Sequence, residues 1–265
     1  MRLPALQGLV RRRILVNFRV DPEVAARQLP APFRPKLVGG WAVAGICLIR
    51  LEQMRPLGIP SALGLSSENA AHRIAVTWED SLGQAREGVY IPRRDTGALL
   101  NHLAGGRVFP GYYHHARFEA RDDGKAVEIV METDDGRGNV RLKARAGAEL
   151  PSASVLSSLA EASSFFGAGS EGYSPNRNGG RLDGLRLRTR AWRIDALALE
   201  HLSSAYYADG ARFPPGSVEY DCALIMRDIP HEWQLVPDPC TPIERDAGQG
   251  LRNQAEPAQL ARARA

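Results

Sequence analysis

Residues 112–149, YYHHARFEARDDGKAVEIVMETDDGRGNVRLKARAGAE, decide the fold. They hold three runs of alternating apolar and polar letters, 112–121, 126–133 and 140–149, joined at Asp123-Gly124 and Asp135-Gly136. A period of two places alternate side chains on opposite faces of a strand, and Asp-Gly supplies the positive φ of a tight hairpin. Three antiparallel strands are therefore expected in succession.

Reading outward from this meander gives more strands than helices. Residues 14–20 set Ile14, Val16, Phe18 and Val20 on one face against Asn17 and Arg19 on the other. Asp21 caps and Pro22 opens a short helix over 22–28, stopped by Pro30 and Pro32. Residues 41–51 are apolar on both faces, the mark of a central strand, and the Pro/Gly-rich residues 55–67 read as a loop. Strands follow over 72–79 and 88–94. A helix over 96–103, a helix over 154–166, a strand over 182–194, a helix over 197–207 and a long strand over 216–227 complete the pattern.

The fold class is thus α+β, mostly antiparallel β. A meander of this length must close or pack on itself to protect its edges, and a closed or partly closed β-barrel and a two-sheet sandwich both do so. Residues 1–240 read as one domain. Residues 241–265 are polar and short of large apolar groups, so a flexible tail is expected.

Composition excludes several function classes. With 265 residues, 44% hydrophobic and 24% charged, the chain can bury a large core. No apolar run reaches the ~20 residues of a spanning helix and no leader pattern opens the chain, which makes the cytoplasm the default and a membrane partner unexpected. Cys47, Cys222 and Cys240 are odd in number and widely spaced, which argues against a disulfide framework and against a zinc site. No metal or cofactor is expected. The net charge of +4 is dispersed along the chain without a nucleic-acid motif, so no nucleic-acid partner is expected. Of 34 basic residues only Lys36, Lys125 and Lys143 are lysines, which leaves few amines for covalent chemistry.

The chemistry concentrates in residues 88–119, GVYIPRRDTGALLNHLAGGRVFPGYYHHARFE. Arg107, framed by Gly-Gly and Phe109-Pro110, is placed to offer a planar guanidinium to a carboxylate, or else to pair with Asp95 or Glu68. Arg93, Arg94 and Asp95 end a strand, and Asp95 can serve the site or cap the following helix. In the Tyr112-Tyr113-His114-His115 run, adjacent histidines face opposite ways and cannot chelate one metal together. Ala116 and Phe118 continue the parity of Tyr112 and His114, which are therefore expected inward; the opposite register would bury Tyr113 and His115 instead. His114, Tyr112, Arg107 and Asp95 are the candidate catalytic groups.

Arg19 in ILVNFRVDPEV, the run WAVAGICLIRLEQMRPLGIP, Glu68 and Arg73 in SSENAAHRIAV, VYIPRRDT and GGRVFPGYYHHA resemble the DUF2071 (YqjF-like) family, which is similar to acetoacetate decarboxylases. The resemblance implies an acetoacetate decarboxylase-like β-barrel with one small-molecule pocket, a carboxylate or carbonyl ligand, and Arg94, Glu68, Arg19 and Phe109 as substrate-binding groups. It leaves a homo-oligomer open. In acetoacetate decarboxylases a Phe-Pro-Lys-Lys segment supplies the amine of a Schiff base. Here the segment is Phe109-Pro110-Gly111-Tyr112, with Gly111 at the reactive position. The expected chemistry is therefore non-covalent acid/base work of a lyase type, with ligand binding without catalysis as the rival.

Overall fold

The computed structural model describes residues 5–98, 111–176, 180–189 and 191–240. Within them the expected meander is present as β7 (Tyr113–Asp122), β8 (Ala126–Thr133) and β9 (Val140–Ala146), paired antiparallel in sequence. Gly124 and Gly136 carry the positive φ values, 86° and 68°, that the Asp-Gly turns require.

Around this meander nine strands hydrogen-bond into a ring. From β9 the ring passes to β12 (Asp195–Ser204), β13 (Val218–Val236), β1 (Leu6–Val20), β4 (Trp41–Pro56), β5 (Leu65–Glu79) and β6 (Ala85–Thr96), and β6 returns in parallel to β7. Short strands β2 (Arg34–Pro35) and β3 (Leu37–Val38) flank it. Strands β10 (Glu171–Pro175) and β11 (Leu182–Thr189) pair with each other and link β6 to β13. Helix α1 (Pro22–Ala26) starts on Asp21, whose carboxylate accepts from the Glu23 and Val24 amides. Helix α2 (Leu159–Ala168) lies over the outer face of the ring.

Two cores follow from this arrangement. Ile14, Ile46, Leu48, Ile129, Met131 and Leu142 fill the ring interior. Leu15, Cys47, Leu224 and Met226 face outward and pack with Phe166 and Ala162 of α2. The central strands are therefore apolar on both faces, as 41–51 predicts, whereas β8 and β9 alternate because their outer face meets water.

The residues expected to form a helix over 197–207 form strand β12 and its following turn. Their Ala and Leu favour helix locally, but pairing from Leu197↔Ala146 to Ser204↔Val140 closes the ring and overrides that preference. The helix expected over 154–166 begins at Leu159, because Ser158 accepts the Glu161 amide at 3.1 Å and acts as its N-cap. The loop expected over 55–67 shrinks to residues 57–64 as β4 and β5 extend into it. Thr96 ends β6; residues 99–103 of the expected helix and the 241–265 tail lie outside the described residues.

Gly45 on β4 permits close strand approach. A Cβ there would collide with the Val16 carbonyl and lie 3.3 Å from both Arg73 Nη2 and Asn17 Oδ1.

Candidate functional site

One extra residue in β6 builds the site. The register passes from Ile74↔Tyr90 to His72↔Arg93, so two residues of β6, Ile91 and Pro92, oppose Arg73 alone. Such a bulge reverses the parity of the strand beyond it. Tyr90 faces the interior before the bulge, and Arg93 and Asp95 face it afterwards. Arg94 is turned outward, where its Nε donates to Ser174 at 2.8 Å and its guanidinium lies 5.8 Å from the Tyr113 ring.

Asp95 is fully buried. Arg93 donates to it from Nε at 2.9 Å and from Nη2 at 2.7 Å, and reaches Asp135 from Nη1 at 2.7 Å. Burial raises Asp95 to about 6 against the lowering pull of Arg93. Burial also works against the Arg93 charge, but hydrogen bonds to Asp135 and Asp95 outweigh it and raise the guanidinium pKa. The hydrogen bond from Arg93 holds Asp135 well below the usual carboxylate range.

Beside this group sits His72, with no solvent exposure and no hydrogen-bond partner at either ring nitrogen. Its Nε2 lies 3.9 Å from Asp95 Oδ2. Burial, and then the Arg93 and Arg212 charges, push its pKa well below 6.5, so the imidazole is neutral. The ring stacks at 4.0 Å on Tyr206, and Arg212 lies 4.5 Å over the Tyr206 ring while its Nη1 donates to Tyr206 Oη at 3.3 Å. Burial pushes the Tyr206 hydroxyl up to about 12. Tyr206, Tyr207 and Phe213, from the β12–β13 connection, belong to the interior core and contact one another and Phe18.

The ring wall thus holds a carboxyl that titrates near neutrality, a neutral imidazole and two arginines. A second polar group lies farther along the interior faces: Arg12 binds Glu68 at 2.8 and 3.0 Å, and Asp122 receives Arg227 at 2.9 Å. Burial raises Glu68 even against the Arg12 charge.

Only some of the expected site residues come together. Asp95 reaches the interior as a partner of Arg93; the helix it is expected to cap lies mostly outside the described residues. His114 shares the parity of interior Ala116 and lies 3.9 Å from Asp135. Tyr112, expected inward, is 44% exposed, whereas Tyr113 is buried; β7 begins at Tyr113, so the strand alternation does not extend to Tyr112. Its ring still meets His114 edge-on at 4.7 Å. Arg94 is displaced by Arg93 for the reason just given. Arg19 faces out of the ring, since Phe18 and Val20 take the interior parity, and pairs with Glu219 and the Ala153 carbonyl. Glu68 faces inward but is engaged by Arg12. Arg107 and Phe109 lie outside the described residues.

Sequence reading missed His72, Tyr206 and Arg212 as site groups. Residues 72–79 alternate with His72 on the same face as Ile74, Val76 and Trp78, and a histidine in that apolar set is the available signal. Nothing in the sequence linked it to Tyr206.

An open groove of about 930 Å³ lies outside the ring, bordered by Arg186, Arg188, Trp192 and the buried ring of His231. It does not touch Asp95 or His72. No helix among the described residues is long and apolar enough to cross a membrane.

The DUF2071 family model, which describes an uncharacterised conserved protein, matches residues 9–225. No curated protein matches the chain. Among solved structures, acetoacetate decarboxylase from Legionella pneumophila is similar with a TM-score of 0.55 and 13% identity, over 89% of this chain and 88% of that one. An acetoacetate decarboxylase-like enzyme from Sphingomonas wittichii RW1 gives 0.53 and 15%, over 90% and 92%. The enduracididine biosynthesis enzyme MppR complexed with pyruvate gives 0.55 and 12%, over 90% of each chain. At these identities the likeness is one of fold.

Proposed function

The chain belongs to the DUF2071 family, and from that premise we propose that it moves a proton on a small carbonyl or carboxylate compound, without a covalent amine intermediate, in a lyase-type reaction. The observation that carries this reading is the buried Asp95 carboxyl at about 6, 3.9 Å from a neutral His72. A carboxyl raised by burial is a stronger base than a free one, and a neutral imidazole still has an N–H to donate. Asp95 takes the proton from carbon next to a carbonyl, and His72 donates its N–H to the carbonyl oxygen as charge develops there. Arg212 binds the carboxylate, and His114, next to Asp95 across the β6–β7 pair and partly exposed, passes the proton to solvent. Pyruvate in complex with a protein of similar fold makes pyruvate the first compound to try.

Deuterium uptake into the methyl group of pyruvate in D2O, followed by NMR, tests this. Asp95→Asn is expected to slow uptake at least ~100-fold, within the range of general-base contributions. Absence of uptake by the wild-type protein with pyruvate, acetoacetate and related keto acids would remove the catalytic reading.

Lysine chemistry has no place in this site. Lys36 pairs with Glu87 and lies 4.4 Å over the Phe165 ring, Lys143 pairs with Glu200 at 3.4 Å on the outer face of β9, and Lys125 is exposed in the β7–β8 hairpin. An amine nucleophile needs desolvation to lower its pKa. Borohydride reduction in the presence of pyruvate or acetoacetate is expected to leave the protein mass unchanged. An adduct mapped to any of the three lysines would contradict this.

One observation favours the alternative, a non-catalytic small-ligand-binding protein. Asp95 and His72 are closed to solvent, whereas the outer groove beside His231 is open. Native mass spectrometry of the freshly purified protein separates the two readings, because a ligand lost on Arg188→Ala and kept on Asp95→Asn belongs to the groove.

A further inference from the structure

Across the outer face of the central strands runs a row of polar groups set by the strand register: Cys222 on β13 opposite Asn17 on β1, Asn17 opposite Gly45 on β4, and Gly45 opposite Arg73 on β5. Arg73 is 3% exposed. Its Nη2 donates to Asn17 Oδ1, but Nε and Nη1 are buried with no hydrogen-bond partner, and no carboxylate among the described residues pairs with it. The absence of a side chain at Gly45 makes room for this guanidinium.

A buried guanidinium without a counter-charge is destabilising. The surroundings add positive charge instead of cancelling it. Arg73, Arg13 and Lys36 line one small pocket together with Phe165, Phe166 and Gly169 at the end of α2. Glu87 is the sole acid in that lining, and it is taken by Lys36. Arg13 donates from Nε to Cys47 Sγ at 3.1 Å and forms no ion pair among the described residues. The Phe166 ring, 4.9 Å from the Arg73 guanidinium, offers partial compensation. Burial pulls the Arg73 pKa down, the direction expected of a cation short of partners. The pocket is small, about 10 Å³, with room for a single compact particle.

We propose that a compact monovalent anion of halide size occupies this pocket, held by the charges of Arg73 and Arg13 that line it, and fastens α2 to the sheet. The site lies on the opposite face of the sheet from His72 and Asp95 and does not depend on the function proposed for them. A larger anion is excluded by volume, and a neutral water would leave the two guanidinium groups without a counter-charge.

Thermal unfolding of the full chain in sodium chloride and in sodium gluconate, at matched ionic strength, tests the proposal. Chloride is expected to raise the melting temperature saturably and gluconate, too large for the pocket, to leave it unchanged. Arg13→Gln keeps Arg73 in place and is expected to move the chloride midpoint about tenfold higher, as the loss of one charge-assisted contact predicts. Arg73→Leu is expected to abolish the chloride effect; should that variant fail to fold, Arg13→Gln still decides the matter. Diffraction from bromide-soaked crystals is expected to place an anomalous peak beside Arg73 Nε and Nη1. Equal melting in the two salts and no such peak would overturn the proposal and leave Asn17 and the Phe166 ring to offset the Arg73 charge.

Discussion

Replacing Arg93 by Met is expected to destabilise the protein by about 3–5 kcal/mol at neutral pH, the range for removing one partner of a buried ion pair. Arg93 is 8% exposed and serves two carboxylates at once, and Asp95 behind it has no contact with water. Met fills much of the same volume, so the loss is electrostatic: Asp95 would keep a charge with no donor or take up a proton. The double variant Arg93→Met, Asp95→Asn removes both charges and is expected to recover most of the stability, because a buried pair replaced as a pair costs little. Urea unfolding of the four proteins forms a closed cycle. A single-variant loss below about 1 kcal/mol would mean that water reaches Asp95 when Arg93 is absent.

The second large effect is one of pH. Asp95 titrates at about 6 in the folded protein, against an ordinary carboxyl value of 3.8. Between those two values the folded state holds more protons than the unfolded chain, so this group's contribution falls as pH rises through the window and is fully favourable below it. The difference is about 3 kcal/mol, at 1.36 kcal/mol per unit. Two histidines oppose it. Burial lowers His72 well below 6.5 and His231 to about 4, so both lose stability as pH falls through 6.5, where the unfolded chain takes up protons first. The wild-type curve alone therefore does not isolate Asp95. Subtracting the stability of Asp95→Asn from that of wild type, from pH 8 to pH 4, cancels the histidine contributions to the extent that they are shared. The difference is expected to rise toward acid by about 3 kcal/mol, centred near pH 5. A flat difference would show that Arg93 keeps Asp95 ionised throughout.

The meander was legible because its signals are local. Alternation at period two and the two Asp-Gly turns act within a few residues, and β8 and β9 have one wet face, so their sequence records which side is buried. Burial of both faces of β4 could be read from residues 41–51 for the same reason. The identity of the covering element could not: α2 reaches the outer face from more than a hundred residues away. Strand β12 carries a helix-favouring sequence, and its conformation follows from the hydrogen bonds it exchanges with β9 and β13 when the ring closes.

The site divides in the same way. Acid, arginine and histidine are visibly gathered along residues 88–119 before any folding, and Gly111 stands where a lysine would be needed. Which arginine faces inward was decided by one inserted residue opposite Arg73; Pro92 hints at a bulge, but its position in the ladder is a property of two paired strands. The meeting of Asp95 with His72, and of His72 with Tyr206, needs three segments far apart in sequence. The shifted titration of Asp95 comes from burial that only the closed ring creates.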